Sequence, residues 1–314
     1  MSDDLPPSRT AEPSVIERLP QAITFEAVLP AALALRAEES GVKRVLLDYP
    51  TVFVLSVLGG AFISLGAVFA TTVIAGSFSI TSADGGFLSA SLPYGVIRLL
   101  SGLVFSLGFI LVVVSGAELF TGNNMIVMAW ASRKVSTRNL LSNWLIVYIG
   151  NAVGAFSTAV LMWLTTQYTF GGGAIGLAAL NSASAKASLA FVPAFTLGIM
   201  CNALVCLATW MCYGARSNVD RVVTIVPPIT AFVAAGFEHC IANMYFLPLG
   251  LLIKWRADNA FWASIGKSAD DYSALNLSNF IFSNLVPVTL GNIIGGSIMV
   301  AAVYWFVYLR NKHI

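Results

Sequence analysis

Charge is what this chain of 314 residues has least of. Asp, Glu, Lys and Arg make up 10% of it, against about 25% in soluble domains, too few to cover the surface of a soluble globule of this size. The 17 basic and 15 acidic residues nearly cancel to +2, so the chain has neither the basic footprint that nucleic acid requires nor an acidic tail. Nucleic-acid binding is excluded on that ground. Two His and four Cys, with no Cys-x-x-Cys pair, exclude most metal and disulfide frameworks. Cys240 stands beside His239, but neighbours on a helix do not face each other, and the other His is His313. The sequence has no Gly-x-Ser-x-Gly and no P-loop, which leaves ATP-driven pumping and a membrane enzyme without support. No catalytic residue, cofactor or metal is expected.

What is present is apolar surface: 57% hydrophobic residues and a mean hydropathy of +0.81. A helix needs about 20 mostly apolar residues to cross ~30 Å of hydrocarbon. Nothing is charged between Asp48 and Asp84, Arg98 and Glu118, Arg138 and Lys186, Lys186 and Arg216, or Asp271 and Arg310, and only Glu238 and His239 interrupt the region from Arg221 to Lys254. Trimmed at Gly, Ser, Asn and Pro clusters, these regions predict an all-α polytopic membrane protein with six transmembrane helices near 52–75, 95–130, 139–165, 190–213, 222–253 and 281–309.

Residues 1–20 are polar, carry four prolines and two arginines and read as a disordered N-terminus without the apolar run of a signal peptide. Residues 21–50 read as a cytoplasmic amphipathic helix along the membrane surface, with Ile23, Val28, Leu29, Ala32 and Leu33 on its apolar side and Arg36, Glu38, Glu39, Lys43 and Arg44 gathered later. Residues 51–310 form the transmembrane domain and 311–314 a tail. Alternating loops divide Lys and Arg nine against five, the richer set holding Lys43, Arg133, Arg216 and Arg310, which predicts that both termini are cytoplasmic.

The second and fifth regions are too long for simple crossings, and each carries a Glu in its middle. Gly116-Ala117-Glu118-Leu119-Phe120-Thr121-Gly122-Asn123 and Gly236-Phe237-Glu238-His239-Cys240-Ile241-Ala242-Asn243 match in Gly, Glu and Asn at an offset of 120. Asn143, Gly150, Asn151 and Gly154 match Asn284, Gly291, Asn292 and Gly295 at an offset of 141. The chain is therefore read as two halves of three helices, about 51–165 and 190–309. Three being odd, the halves enter the membrane from opposite sides, a 3+3 inverted repeat with two broken helices and a transport site at the midplane. The glycines read as helix-packing positions. An ionisable group at mid-membrane costs at least ~2.5 kcal/mol. Glu118 and Glu238, with Asn123 and Asn243, read as structural groups at the helix breaks, the carboxylates accepting freed backbone N–H groups. His239 reads as functional, because imidazole changes charge near neutral pH. For Asn202 and Asn292, pore lining and helix-to-helix bonding both stand, and Lys186 stands as either a solvated loop lysine or a collector of anions, with no acid near it between 139 and 215.

The two Glu segments, together with Thr289-Leu290-Gly291-Asn292-Ile293-Ile294-Gly295-Gly296, resemble the signatures of the formate/nitrite transporter family, and the similarity runs from about Phe25 to Leu309. The long connection from Met244 to Asn284 is similar to the formate-channel branch rather than the nitrite branch. The resemblance implies an aquaporin-like protomer, a homopentamer in the bacterial inner membrane with one pore per subunit, and small weak-acid anions, formate first, as what is carried. Nitrite and hydrosulfide are the alternatives within the family; a membrane enzyme or metal-handling protein is the alternative outside it. By position it also implies that His239 is the central pore histidine with Thr121 as its partner, that Lys186 is the outer-funnel cation, and that Asn202 and Asn292 join a polar network at the midpoint. Phe105, Phe109, Leu119, Phe120, Val205 and Phe232 match the narrow apolar slits, with leucine the residue expected where Phe109 stands. The expected mechanism has Lys186 and the positive ends of the half-helices drawing the anion in. His239 then shares a proton, so that a weak acid crosses the slits neutral.

Overall fold

The computed structural model describes residues 26–76, 78–81, 87–90 and 92–312. The expected disordered stretch 1–20, the first residues of the expected surface helix (Ile23 among them) and His313 lie outside the described residues.

Among the described residues, six helical segments are long and apolar enough to cross a membrane: Tyr49–Ala75, Tyr94–Ser115, Thr137–Leu164, Phe191–Cys212, Asn218–Ala235 and Asn279–Tyr308. In chain order the elements are α1 (Pro30–Leu46), α2 (Tyr49–Ala75), strands β1 (Phe78–Thr81) and β2 (Phe87–Ala90), and α3 (Tyr94–Ser115). After the first break come α4 (Phe120–Asn123), a 3-10 turn (Asn124–Ile126), α5 (Val127–Ala131) and α6 (Thr137–Leu164). α7 (Ala174–Ala187) lies between the halves, and the second half runs through α8 (Phe191–Cys212), α9 (Asn218–Ala235), α10 (Cys240–Arg256) and α11 (Asn259–Ile265). Its last span contains α12 (Val286–Ile293) and α13 (Val303–Tyr308), with π-helix over Asn279–Leu285 and Ile294–Ala302.

Three features depart from the expectation. An antiparallel hairpin, Phe78 opposite Ala90 through Thr81 opposite Phe87, stands between α2 and α3 where only a loop is expected. The Ser- and Ala-rich stretch around Lys186 is not a loop: α7 carries it, with Ala179, Leu180 and Ala183 fully inside. The surface helix begins at Pro30 rather than 21, because proline suits the first turn. Its inward face is Ala34, Ala37 and Gly41 against Ile126 and Ala129, while Leu29 is 73% exposed. Small residues on that face let α1 lie close on α5. The helix thus docks on protein, and Lys134 Nζ, 2.5 Å from the buried Glu38 carboxylate, fastens it.

The halves repeat at the level of backbone. α3 and α9 both end in glycine, Gly116 and Gly236, each at φ +77°, the left-handed conformation that glycine adopts freely. α6 crosses α2 so closely that a Cβ on Gly154 falls 1.9 Å from Val57 O, and the partner contact in the second half puts a Cβ on Gly295 2.1 Å from Ile199 O. No side chain fits at either crossing. Gly154→Val is expected to cost at least about 1–3 kcal/mol through overpacking against rigid backbone, read as a lower unfolding temperature in detergent. An unchanged melting curve would show that the crossing can open.

Candidate functional site

A helix that stops inside the membrane leaves N–H and C=O groups without partners, and each must find one within the protein. At the first break the Phe120 N–H donates to Asn151 Oδ1 at 2.9 Å, and Asn151 Nδ2 donates to Ser56 O at 2.6 Å and Glu118 O at 2.9 Å. At the second, the Cys240 N–H donates to Asn292 Oδ1 at 2.9 Å, and Asn292 Nδ2 donates to Gly198 O at 2.7 Å and Glu238 O at 3.0 Å. The Glu118 and Glu238 N–H groups add bonds to Leu55 O and Leu197 O, at 3.1 and 3.3 Å. The amide side chains of α6 and α12, not the Glu carboxylates, therefore hold the freed backbone. An amide can serve here because it offers both a donor and an acceptor, whereas a carboxylate only accepts.

The carboxylates are engaged elsewhere. Glu238 Oε1 lies 2.7 Å from Lys186 Nζ, and Oε2 accepts from Asn243 Nδ2 at 2.7 Å and Asn284 Nδ2 at 3.1 Å. Glu118 Oε2 accepts from Asn123 Nδ2 at 2.6 Å and lies 3.3 Å from Arg44 Nη1, which also reaches Asn123 Oδ1. The second Asn shell repeats as well, Asn123 to Asn143 at 2.9 Å and Asn243 to Asn284 at 2.7 Å. Lys186 thus has an acid beside it, one that sequence distance concealed, since its partner lies 52 residues away.

His239 and Leu119 occupy equivalent places, each extended and each preceding the re-entrant helix start. His239 Nδ1 accepts the Ala242 N–H at 3.1 Å and so caps α10, while Nε2 lies 3.1 Å from Thr121 Oγ1. With Nδ1 accepting, the neutral ring carries its hydrogen on Nε2 and donates to the Thr121 hydroxyl. The two chain reversals meet at this bond, with both positive helix ends facing it. Phe232 stacks beside the imidazole with centroids 6.0 Å apart, and Phe105 meets Phe232 edge-on at 5.7 Å.

Two cavities lie near this contact, one reaching His239 and the other Gly122, next to Thr121, which itself lines neither. One of about 450 Å³, on the hairpin side, is lined by Lys186, Glu238, Asn243, His239, Phe105 and Phe232. The other, about 220 Å³ on the α1 side, is lined by Arg44, Glu118, Phe109 and Leu119. Phe120 and Val205 line neither: Phe120 packs edge-on against Trp144 and Tyr148, and Val205 is fully buried. Asn202 and Asn292 also line neither; Asn202 Nδ2 donates to Asn292 O at 2.7 Å and Asn124 Oδ1 at 2.8 Å, tying the halves together. Sequence reasoning did not assign sites to Arg44, Asn143, Asn151 or Asn284, although the offset of 141 pairs both of their Asn couples.

Removing one partner of a buried ion pair leaves an uncompensated charge, at about 3–5 kcal/mol. Lys186→Met is therefore expected to lower the melting temperature strongly, and Lys186→Met with Glu238→Gln to recover most of it. A Lys186→Met protein as stable as the parent would show that solvent, not Lys186, balances Glu238.

The model of the family "Formate/nitrite transporter" matches residues 31–306. The chain is 43% identical to the formate channel FocA of Escherichia coli K12, over 92% of this chain and 98% of that protein. It is 40% identical to the formate channel FocA of Haemophilus influenzae, over 83% and 87%. Among solved structures, a pentameric formate channel with formate bound superposes with a TM-score of 0.75 at 44% identity, covering 83% of this chain and 98% of that one. With its six spans, two mid-membrane breaks and paired Glu-Asn shells, the chain belongs to the formate/nitrite transporter family.

Proposed function

We propose that this chain forms a homopentameric channel for formate and related small weak-acid anions, one pathway per subunit, with α1 and both termini on the cytoplasmic side of a bacterial inner membrane. The observation that carries the reading is the Thr121–His239 contact, 3.1 Å, standing between two cavities: His239, Phe105 and Phe232 line the hairpin-side one, and Phe109, Leu119 and Gly122, the neighbour of Thr121, line the α1-side one. The relatives named above supply the substrate class. The nine-to-five division of Lys and Arg supplies the orientation.

A bare anion is costly between Phe and Leu side chains, and a neutral acid is not. Chloride cannot be usefully protonated, so a narrow apolar stretch favours weak acids. His239 gives the crossing ion a hydrogen-bond donor at the midpoint, and Thr121 gives a hydroxyl that turns to suit. A proton step through His239 is linked to α10: protonating Nδ1 removes the acceptor of the Ala242 N–H and releases the helix cap. Lys186, held by Glu238, contributes positive potential at the outer mouth without being a free counter-ion.

His239→Asn tests this. Asn is itself a good N-cap and does not titrate, so the variant is expected to stay folded. Proton-linked formate uptake into proteoliposomes with an internal pH dye should collapse, and the residual flux should no longer change between pH 5 and 8. Unchanged proton-linked flux in the assembled variant removes His239 from the mechanism, and nitrite or hydrosulfide outrunning formate in the same vesicles overturns the substrate.

The outward faces of the spans are covered in large apolar side chains, among them Leu145 (61% exposed), Phe156 (52%), Phe282 (68%) and Ile298 (58%), a belt shared by lipid and neighbouring subunits. Native mass spectrometry in mild detergent should find five chains. A stable monomer or dimer would refute the assembly.

A further inference from the structure

Four cations line the two cavities: Arg98 and Lys186 on the hairpin side, Arg44 and Arg221 on the α1 side. Three of them are spoken for. Lys186 is paired with Glu238, and Arg44 is held by Glu118 and Asn123. Arg98 donates to Ala234 O at 3.1 Å and to Val233 O, carbonyls in the last turn of α9, the second of which also accepts the Gly236 N–H at 3.1 Å. Arg221, half-buried in the cavity wall, makes no ion pair or side-chain hydrogen bond among the described residues.

Its sequence neighbour does not neutralise it. Asp220 turns back on the chain, its Oδ2 accepting the Arg216 N–H at 2.9 Å and the Ser217 N–H at 3.1 Å in the capping box of α9. Arg221 sits in the first turns of that helix, where the dipole disfavours a cation. Helix stability therefore gives no reason for an arginine here. At the repeat offset of 120 the equivalent residue is Ser101, which is buried and donates to Arg98 O at 2.9 Å. Among the described residues that line the hairpin-side cavity, both cations, Arg98 and Lys186, are engaged.

From the free guanidinium, the spent neighbours and the cavity around it, we propose that Arg221 is the anion-collecting residue of the α1-side mouth. It holds a small monovalent carboxylate-like anion ahead of Phe109 and Leu119 and gives that mouth a higher anion affinity than the opposite one. The cavity of about 220 Å³ admits such an ion with several waters, each water occupying about 30 Å³ in the liquid. This rests on the channel reading above.

Formate entry measured from each face, in inside-out and right-side-out vesicles, tests it. Arg221→Gln should raise the half-saturating concentration from the α1 face about threefold at low ionic strength, as expected for loss of one focusing charge. The rise should vanish in concentrated inert salt, where the Debye length falls to about 3 Å at 1 M. Entry from the other face should keep its half-saturation, and Arg221→Lys should restore the α1 face. An equal change at both faces, or one that persists in salt, overturns the assignment.

A second measurement does not depend on the substrate. Cys212 lines the same cavity, and the other three cysteines are fully buried. The ratio of its labelling rates with anionic and cationic methanethiosulfonates should fall in Arg221→Gln, and an unchanged ratio overturns the proposal. If the parent passes no formate from either face, the channel reading fails while this ratio still decides the role of Arg221.

Discussion

The structure depends on one constraint: backbone polar groups exposed by a helix break cannot be left bare in hydrocarbon. Two amides, Asn151 and Asn292, meet it. Each binds the first N–H after the break and the Glu carbonyl before it, and each also reaches a carbonyl of the neighbouring span, Ser56 O or Gly198 O. Breaks, crossings and re-entrant starts are thereby locked as one unit. A hydrophobic residue at either place would leave several polar groups unpaired in a medium that offers no water.

Around those ties the carboxylates are free to do something else. Glu118 and Glu238 hold a cation each at the mouths, and a shell of Asn123, Asn143, Asn243 and Asn284 fixes their orientation. The electrostatics follow from this allotment. Paired charges contribute a fixed, local potential, and in the channel reading proposed above that potential steers an anion without trapping it while the apolar side chains discriminate through desolvation.

Much of the architecture was legible in the sequence, because bilayer spans and inverted repeats leave long-range periodic signals: charge-free runs and the offsets of 120 and 141. What was not legible arises from contacts between distant segments. Lys186 meets Glu238 and Arg44 meets Glu118 only after the halves interlock, so their separations of 52 and 74 residues hide them. The helix around Lys186 escaped notice because Ala, Ser and Gly read as a loop when no apolar stripe marks a buried face. Phe120 matched a slit position, yet its ring turns into the aromatic cluster of α6, a choice set by Trp144 and Tyr148 rather than by anything local. The short hairpin of β1 and β2 stands outside the repeat, where the offset gives no guidance.

The equivalence of Leu119 and His239 carries an arithmetical consequence. The repeat sets two residues before the two helix starts in the same extended backbone conformation, and only one of them is ionisable. In the proton step proposed for His239, a single imidazole takes up at most one proton, and Leu119, its counterpart across the repeat, can take none. The proposed step therefore moves at most one proton each time the ring is charged, and the ring cannot be charged at Nδ1 without letting go of the helix it caps.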